Sequence, residues 1–328
     1  MATEITYNGA VIATPEAGQT ATLKCKGMVM ADDVVVKAGS GGGVIEDWFN
    51  DGNTHLWVTI HEGRTSTELF TDACLNGIVT VYWGDGTRYW EVSDDVNAQM
   101  PRTAKNTYAS AGDYIITLVV EGELKLRSCP LTEGTIKKIE VGGGVTLDNN
   151  CFNKHYGLES VKLHDGITSV PTSVFYSCYR LTQVQLPDSV ESIGGSAFSS
   201  CSALVDINIP DKVTSIGGGA FYDCRALQSI NIPDGVTSIS SYAFFMCCGL
   251  TSVLIPGSVE SIWDYAFNSC LGLSKIRFDG TTPPAVSNSN ALLGIPTSCI
   301  ISVPVGCLEA YKTAANYPSP SKYTYVEE

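Results

Sequence analysis

The chain has 328 residues, of which 44% are hydrophobic and only 16% are charged, so it is long enough for two or three domains with real cores. Its formal net charge of −14 disfavours nucleic acid and anionic membrane surfaces, which reward clustered lysine and arginine. No apolar run approaches the ~20 residues that span a bilayer, so we expect no membrane insertion. The N-terminus also lacks the basic and apolar segments of a secretory signal, so a route outside the cell must be supplied in another way or by another segment.

Residues 1–38 are predicted to form a small β unit. Three strand-like segments, ITYNG, TATLKCKG and DDVVVKA, follow one another, and Asn8-Gly9 is a turn signal. Residues 39–43 have the composition of a flexible Gly/Ser linker. A unit of this size stabilises itself poorly, so we expect it either to anchor the protein by docking to an assembly or by self-association, or to be a marginal accessory domain.

Residues 44–130 are predicted to form a β-sandwich. The strand-like runs are HLWVTI, IVTVYWG, YIITLVV and ELKLRS, and Asp85-Gly86 is a hairpin signal. The words VTVYWGDGT, at residues 79–87, and NTYASAGDYIITLVV, at residues 106–120, resemble the PKD-type immunoglobulin-like domain. Tyr108, Gly112 and Tyr114 stand where that family has a Tyr, a Gly and a further Tyr before its last strand. The resemblance implies a spacer or binding module of a surface protein.

A fixed interval of 23 residues runs through residues 131–328. Six phenylalanines mark it, at Phe152, Phe175, Phe198, Phe221, Phe244 and Phe267. Three residues after each of them come His155, Cys178, Cys201, Cys224, Cys247 and Cys270. Prolines keep the same interval at Pro187, Pro210, Pro233 and Pro256. A period of this length predicts a solenoid, in which each coil stacks on copies of itself and cannot bury its own apolar face alone.

Each coil follows the pattern L-x-x-I-x-I-P-D-x-V-x-x-I. Alternation in the first segment predicts a strand with Leu and Ile facing inward, and the proline ends that strand because it cannot donate to a ladder. Val and Ile then supply a second inward edge, while Phe and Cys close the third side. The first coil departs from the pattern, with His155 in place of Cys and His164 in place of Pro, as expected of an end coil.

This pattern resembles the BspA-type leucine-rich repeat over about 150 residues. The tail, with DGTTPP at residues 279–284 and a segment at residues 299–318, is similar to the C-terminal cap of that family, and residues 307–315 are expected to form a short helix. The resemblance implies a mainly β, leucine-rich-repeat solenoid, and the family is typical of bacterial surface adhesins.

The chain has twelve cysteines. Five of them share one position of successive coils, where a free thiol acts as a small buried hydrophobe, and parallel neighbours lack disulfide geometry. Whether Cys299 and Cys307 pair is left open. Cys247-Cys248 invites thiol chemistry, but Cys247 belongs to the structural set and a catalytic thiol needs a base and an electropositive setting.

The outward strand positions are the candidate binding site. They form two columns on one sheet face: Ser160, Lys162, Gln183, Gln185, Asp206, Asn208, Ser229, Asn231, Ser252, Leu254, Lys275 and Arg277. Such a mostly neutral set of amides and hydroxyls suits a protein strand or the hydroxyls of a glycan, and the exposed Leu254 favours contact with a ligand. The alternative is a solvated sheet face without a ligand.

We predict no catalytic residues, no metal and no cofactor. No motif of a hydrolase, zinc protease or phosphate-binding loop occurs in the chain. His55 and His61 flank LWVTI without further ligands at fitting spacing, and turn formation explains Asp85 and the aspartates that follow the prolines, Asp188, Asp211 and Asp234.

The chain is therefore expected to be a non-enzymatic, β-rich display protein that recognises a protein or glycan outside the cell. The first expectation is a phage virion accessory, such as a tail or head fibre, that adheres to a host or mucosal surface. The alternatives are a bacterial cell-surface adhesin of the leucine-rich-repeat type and a purely structural virion or scaffold protein.

Overall fold

The fold is taken from a computed structural model, and the structure describes residues 5–7, 10–13, 20–23, 34–37, 52–61, 66–70, 72–99, 104–129 and 136–328. The chain divides into two compact units, residues 1–52 and residues 53–328, and each is described by itself. Among the described residues, no helix combines the length and apolar composition that crossing a bilayer requires.

The first unit contains two antiparallel strand pairs. Strand β1, Ile5–Tyr7, pairs with β2, Ala10–Ala13, and β3, Thr20–Leu23, pairs with β4, Val34–Lys37. The three predicted strand segments of residues 1–38 therefore each contain a strand. The predicted Asn8-Gly9 turn and the 39–43 linker lie outside the described residues, and the anchoring role stays a prediction.

The second unit begins with an antiparallel sheet. Its strands are β5, Thr54–Ile60; β6, Ser66–Phe70; β7, Asp72–Tyr82; β8, Arg88–Gln99; β9, Ala104–Thr107; and β10, Gly112–Ser128. Strands β5, β10, β7 and β8 lie in this order in one sheet, and β6 pairs with β9 in a separate ribbon. Leu69 and Ala104 of the ribbon belong to the same buried cluster as the sheet. The predicted sandwich is not established by this arrangement and stays a prediction.

Two of the predicted strands, YIITLVV and ELKLRS, are one continuous strand, β10, of 17 residues. It passes from β5 to β7 as a partner, and Gly122 lies opposite Gly77 in the pairing with β7. Gly77 has φ +125°, and a Cβ there would lie 2.0 Å from the Glu121 carbonyl oxygen, so only glycine fits this close approach. Residues 121 and 122, which separate the two runs in the sequence, therefore lie in continuous register inside one strand.

One sheet crosses from the antiparallel region into the coils. Strand β11, Ile136–Val141, is antiparallel to β5 on one side and parallel to β13, Ser160–Leu163, on the other. Strand β12, Val145–Leu147, pairs parallel with β10. The antiparallel region and the solenoid therefore share backbone hydrogen bonds, and a domain boundary near residue 130 stays a prediction.

The coils wind as predicted: the shorter strand recurs from coil to coil, and the longer strand is assigned in all but the two coils that contain residues 206–209 and 229–232. The strands are β14, Ser169–Val170; β15, Gln183–Gln185; β16, Ser192–Ile193; β17, Ser215–Ile216; β18, Ser238–Ile239; β19, Ser252–Ile255; β20, Ser261–Ile262; β21, Lys275–Phe278; β22, Ala285–Val286; β23, Ile300–Val303; and β24, Thr324–Glu327. The helix predicted at residues 307–315 is confirmed as α1, Leu308–Thr313. Each repeat proline accepts a hydrogen bond from the valine three residues later, as in Pro210 O to Val213 N at 3.0 Å, so the proline turns are confirmed.

The core of the solenoid is a stack of the six repeat phenylalanines, each 0% exposed. Ring centroids of consecutive coils are 5.1–6.1 Å apart, and the Phe221 and Phe244 planes differ by only 2°. The backbone runs in register as well, since Phe198 N donates to Ala220 O and Phe221 N donates to Ala243 O, both at 2.9 Å. The central prediction of identical coils with a shared aromatic interior is confirmed.

Candidate functional site

The outward strand face is built by the parallel pairing of the coils. Ser160 lies opposite Gln183 and Lys162 opposite Gln185, while Ser252 and Leu254 lie opposite Lys275 and Arg277. The two coils between them have no assigned strand there, but they keep the same alternation: Ile207, Ile209, Ile230 and Ile232 are buried, and Asp206, Asn208, Ser229 and Asn231 are exposed. Side chains on one edge of each coil therefore fall into two columns.

The twelve predicted positions differ in solvent exposure and in ion pairing. Exposed are Gln183, Gln185, Asp206, Asn208, Ser229, Asn231, Ser252, Leu254 and Arg277, whereas Ser160, Lys162 and Lys275 are half-buried. Ion pairs occupy the ends of the face, since Lys162 Nζ lies 3.2 Å from Glu140, Lys275 pairs with Glu328, and Arg277 Nε lies 2.8 Å from Asp279.

The middle of the face carries four amide side chains, those of Gln183, Gln185, Asn208 and Asn231. None of them makes a side-chain hydrogen bond to the part of the chain that the structure describes. Each amide offers a carbonyl acceptor and two N–H donors. This part of the surface, which we call the amide ladder, can therefore pair with the hydrogen-bonding groups of another molecule at no cost to its own fold.

The face continues into the antiparallel region but becomes buried there. In register, Lys162 lies beside Glu140, Glu140 beside His55, and His55 beside Thr117. Glu140 is 0% exposed. Its Oε1 lies 2.7 Å from His164 Nε2 and 3.2 Å from Lys162 Nζ. The buried carboxylate is thereby paired with two potential cations, which its removal from water requires. His164, expected to be an end-coil substitution, lies within hydrogen-bond distance of this carboxylate.

The histidines considered as metal ligands and the cysteines considered for thiol chemistry form no reactive centre among the described residues. His55 contacts Thr117 Oγ1 at 3.0 Å, and His61 is exposed past the end of the same strand. Within the described ranges, no group of three His, Cys, Asp or Glu residues is placed to hold a metal. Cys299 and Cys307 are both free thiols.

Asp85 closes its own turn. Its carboxylate accepts hydrogen bonds from Thr87 N at 2.9 Å and Asn106 Nδ2 at 2.7 Å. Burial raises the pKa of Asp85, but the hydrogen bonds from Thr87 and Asn106 outweigh that effect and leave the pKa below its ordinary value. The expectation that turn formation explains this residue agrees with these contacts.

The cysteine positions form a second ladder inside the coils. Each thiol donates to the carbonyl oxygen of the phenylalanine in the preceding coil, at 3.1 Å for Cys224 to Phe198 and for Cys247 to Phe221. Burial raises the pKa of these thiols, to about 12 for Cys178 and Cys270. They stay protonated at neutral pH, so they lack the thiolate that nucleophilic chemistry requires.

His155 takes the place of a ladder thiol in the first coil. It is 3% exposed, and its Nε2 lies 3.1 Å from the carbonyl oxygen of Cys129, which stands 23 residues before Phe152. Burial lowers the pKa of His155 to about 4, so the imidazole is neutral and donates from Nε2 to that carbonyl. The substitution therefore keeps the same hydrogen bond to the preceding coil.

A second exposed surface, not predicted from the sequence, lies on the turn side of the coils. Aromatic side chains cluster there: Tyr222 stacks on Phe245 at 5.0 Å, and Tyr242 stacks on Tyr265 at 4.8 Å. The signal was present in the same 23-residue interval, because Tyr176, Tyr222 and Phe245 each follow a core phenylalanine directly. The predicted binding site was limited to the outward positions of the strand segment, so it did not include this surface.

Residues 135–282 match the family described as "BspA type Leucine rich repeat region", in six copies. The resemblance is thereby confirmed for this segment, which carries BspA-type leucine-rich repeats. The PKD-type resemblance of residues 79–87 and 106–120 is not shown by this match and stays a prediction. A search of curated proteins found no match.

Solved structures of several bacterial proteins are similar to the chain. A leucine-rich repeat protein of T. pallidum is 24% identical, with 48% of this chain and 78% of that chain covered and a TM-score of 0.42. A leucine-rich repeat protein of Bacteroides ovatus is 25% identical, with 52% and 49% covered and a TM-score of 0.40. A leucine-rich cell surface protein of Faecalibacterium prausnitzii is 23% identical, with 53% and 67% covered and a TM-score of 0.31.

Proposed function

We propose that the chain is a non-enzymatic binding protein of the bacterial cell-surface adhesin type, and that its amide ladder contacts the ligand. The observation that carries the proposal is the set of four adjacent exposed amides without hydrogen-bond partners in the described chain. Leucine-rich repeats generally bind proteins, and the BspA-type match over residues 135–282 supports the same class of function.

A binding function without catalysis fits the chemistry of the described residues. The ladder thiols are buried and protonated, and the buried carboxylate of Glu140 pairs with Lys162 and contacts His164 Nε2. The ligand is a protein or glycan surface, because amides pair equally well with peptide groups and with hydroxyls. Display as a phage virion accessory, expected first from the sequence, finds no support in the comparisons, which favour the bacterial alternative.

The experiment compares two triple variants on immobilised mucin and on a printed glycan array. One variant carries Gln183→Ala, Asn208→Ala and Asn231→Ala, and the control carries Asp188→Ala, Asp211→Ala and Asp234→Ala, exposed turn residues of the same three coils. We expect the amide variant to lose at least about tenfold in affinity, since each lost hydrogen bond contributes about 1 kcal/mol.

The control variant is expected to bind as the wild type does. Equal binding by the amide variant and the wild type would show that the strand face is not the recognition surface. Turnover of the mucin or of any arrayed glycan would contradict a function without catalysis.

A further inference from the structure

A groove of about 590 Å³ opens on the turn side of the coils. Tyr176 and Tyr222 line it from positions two coils apart in one column, and Ser199 stands between them in that column. The neighbouring column contributes Ser196 and Gly219. The groove thus lies where Ser199 interrupts one column of aromatic rings and where small residues precede the rings of Tyr242 and Tyr265 in the neighbouring column. We call it the turn-face groove.

The interruption has the width of one ring. Aromatic side chains of adjacent coils stack at 5.0 Å for Tyr222 and Phe245 and at 5.1 Å for Tyr156 and Tyr179. One coil, that of Ser199, separates Tyr176 from Tyr222. A single flat ring placed over Ser199 would therefore contact a tyrosine on each side at ordinary stacking distance.

The floor of the groove is polar. Ser199 is only 4% exposed, yet its hydroxyl makes no hydrogen bond to the described chain, and the hydroxyls of Ser196 and Ser241 make none either. An apolar ring over this floor would remove the hydroxyls from water without giving them partners, which is unfavourable. A ring that carries its own hydroxyl groups would pair with them.

The tyrosine at residue 242 is held against the preference of the backbone. Its φ is +60°, in the left-handed region that penalises a bulky side chain, and the equivalent residues Ser196, Gly219 and Tyr265 share this left-handed φ. Its ring reaches the surface, where it lines the groove and is 40% exposed. The left-handed turn recurs at the same place in neighbouring coils, and Tyr242 stacks on Tyr265 at 4.8 Å, so Tyr242 presents to the groove the end of a short aromatic stack.

We propose that the turn-face groove binds a neutral pyranose ring of a glycan, with its C–H face on the tyrosine rings and its hydroxyls on the serine floor. Among the residues that the structure describes, no charged side chain lines the groove, and the chain's formal net charge of −14 disfavours acidic sugars. The site lies on a different side of the coil from the amide ladder. The proposal that this groove binds a sugar extends the proposed function, and it rests on that function only because both require the chain to be a ligand-binding protein.

The test is a titration of the full chain followed by saturation-transfer NMR. The neutral probes are the methyl pyranosides of glucose, galactose, mannose and N-acetylglucosamine, with the methyl glycoside of sialic acid as the anionic probe and N-acetyltyrosinamide as the aromatic probe. We expect at least one neutral pyranoside to bind with a Kd on the order of 1 mM, and both other probes to bind at least about tenfold more weakly.

Two variants locate the site. Ser199→Tyr fills the gap between Tyr176 and Tyr222 with an aromatic side chain, and Tyr222→Ala removes one wall of the groove. Each variant is expected to weaken binding of the neutral pyranoside at least about tenfold. Tyr222→Ala truncates a partly exposed ring, so it keeps the test valid if Ser199→Tyr does not fold. Tyr179→Ala, which removes a turn-side tyrosine outside the groove, is the matched control and is expected to bind unchanged.

The proposal would be overturned by no binding of any neutral pyranoside, by unchanged binding in both Ser199→Tyr and Tyr222→Ala, or by an aromatic probe that binds as tightly as the best sugar. The variant with Gln183→Ala, Asn208→Ala and Asn231→Ala must bind the sugar as the wild type does. Loss of the sugar in that variant would place it on the strand face, which would reject the groove and leave the proposed function standing.

Discussion

The middle coils and the junction with the antiparallel sheet solve the same stacking problem with different chemistry. In the middle coils, Phe221 and Cys224 recur with little change, and contacts between coils are apolar stacking and thiol-to-carbonyl hydrogen bonds. At the junction, His155 replaces the thiol and Glu140 pairs with Lys162 and His164 beneath the surface. The comparison shows that a solenoid can end against an antiparallel sheet if backbone hydrogen bonding continues from strand to strand and the buried polar groups are paired.

The largest effect should come from removing a ring in the middle coils. Phe221→Ala leaves a cavity between Phe198 and Phe244, so we expect the free energy of unfolding in urea to fall by about 4 kcal/mol. Gln228→Ala, an exposed position of the same coil, is the control and should change it by less than about 0.5 kcal/mol. Similar losses from both variants would mean that the ring stack does not hold the coils together.

The junction should be broken next by removing its buried carboxylate. Glu140→Ala removes the carboxylate that pairs with Lys162 and contacts His164 inside the fold, and we expect a loss of about 3 kcal/mol in the free energy of unfolding. Glu159→Ala removes an exposed carboxylate close by and should have little effect. If the two variants are equally stable, the ion pair makes no net contribution to the junction.

The two regions should also differ in their response to acid. The folded pKa of His155 is about 4, below the ordinary 6.5, so its contribution to stability is complete above pH 6.5 and is lost as the pH falls toward 4. The expected loss is about 2 kcal/mol between pH 8 and pH 5. His155→Cys restores the thiol of the other coils and should reduce the pH dependence by that amount. An unchanged dependence in the variant would show that His155 is not the group that titrates.

The smallest effect sought is on reactivity rather than stability. Cys201, Cys224 and Cys247 are buried, and burial raises the pKa of each thiol well above its ordinary value, whereas Cys248 and Cys307 are partly exposed. Iodoacetamide at pH 8 should therefore alkylate Cys248 and Cys307 long before the ladder thiols, as read from peptide mass spectra. Equal labelling of Cys247 and Cys248 would contradict the assignment of Cys247 to the interior.

Much of this architecture could be predicted from the sequence because the 23-residue interval repeats the local physics six times. Phe198 and Cys201 could be placed inside, and Asn208 on the outer strand face, from period and alternation alone. Glu140 could not be placed, because it looks like any outward strand residue until strand β5 is known to lie beside it. That pairing joins segments about 80 residues apart, and no local pattern encodes it.

The candidate sites divide in the same way. The amide ladder could be predicted because alternation decides which strand side chains face outward. The turn-face groove could not be predicted, because it depends on the absence of an aromatic side chain at Ser199. That absence is informative only once Tyr176 and Tyr222 are known to lie in the same column on one side of the coil. The single long strand β10 was missed for a related reason, since Gly122 looks like a turn signal and is accommodated by Gly77 opposite.

Hydrogen exchange of individual backbone amides tests the stacked-coil account most directly. The amides of Phe198, Phe221 and Phe244 donate to Ala220, Ala243 and Ala266 of the next coil, each at 2.9 Å, on buried residues. The account predicts that these three amides exchange only through global unfolding, with equal protection at the 23-residue interval. Exchange of any of them as fast as the exposed turn amides would show that the coils are not stacked in this register.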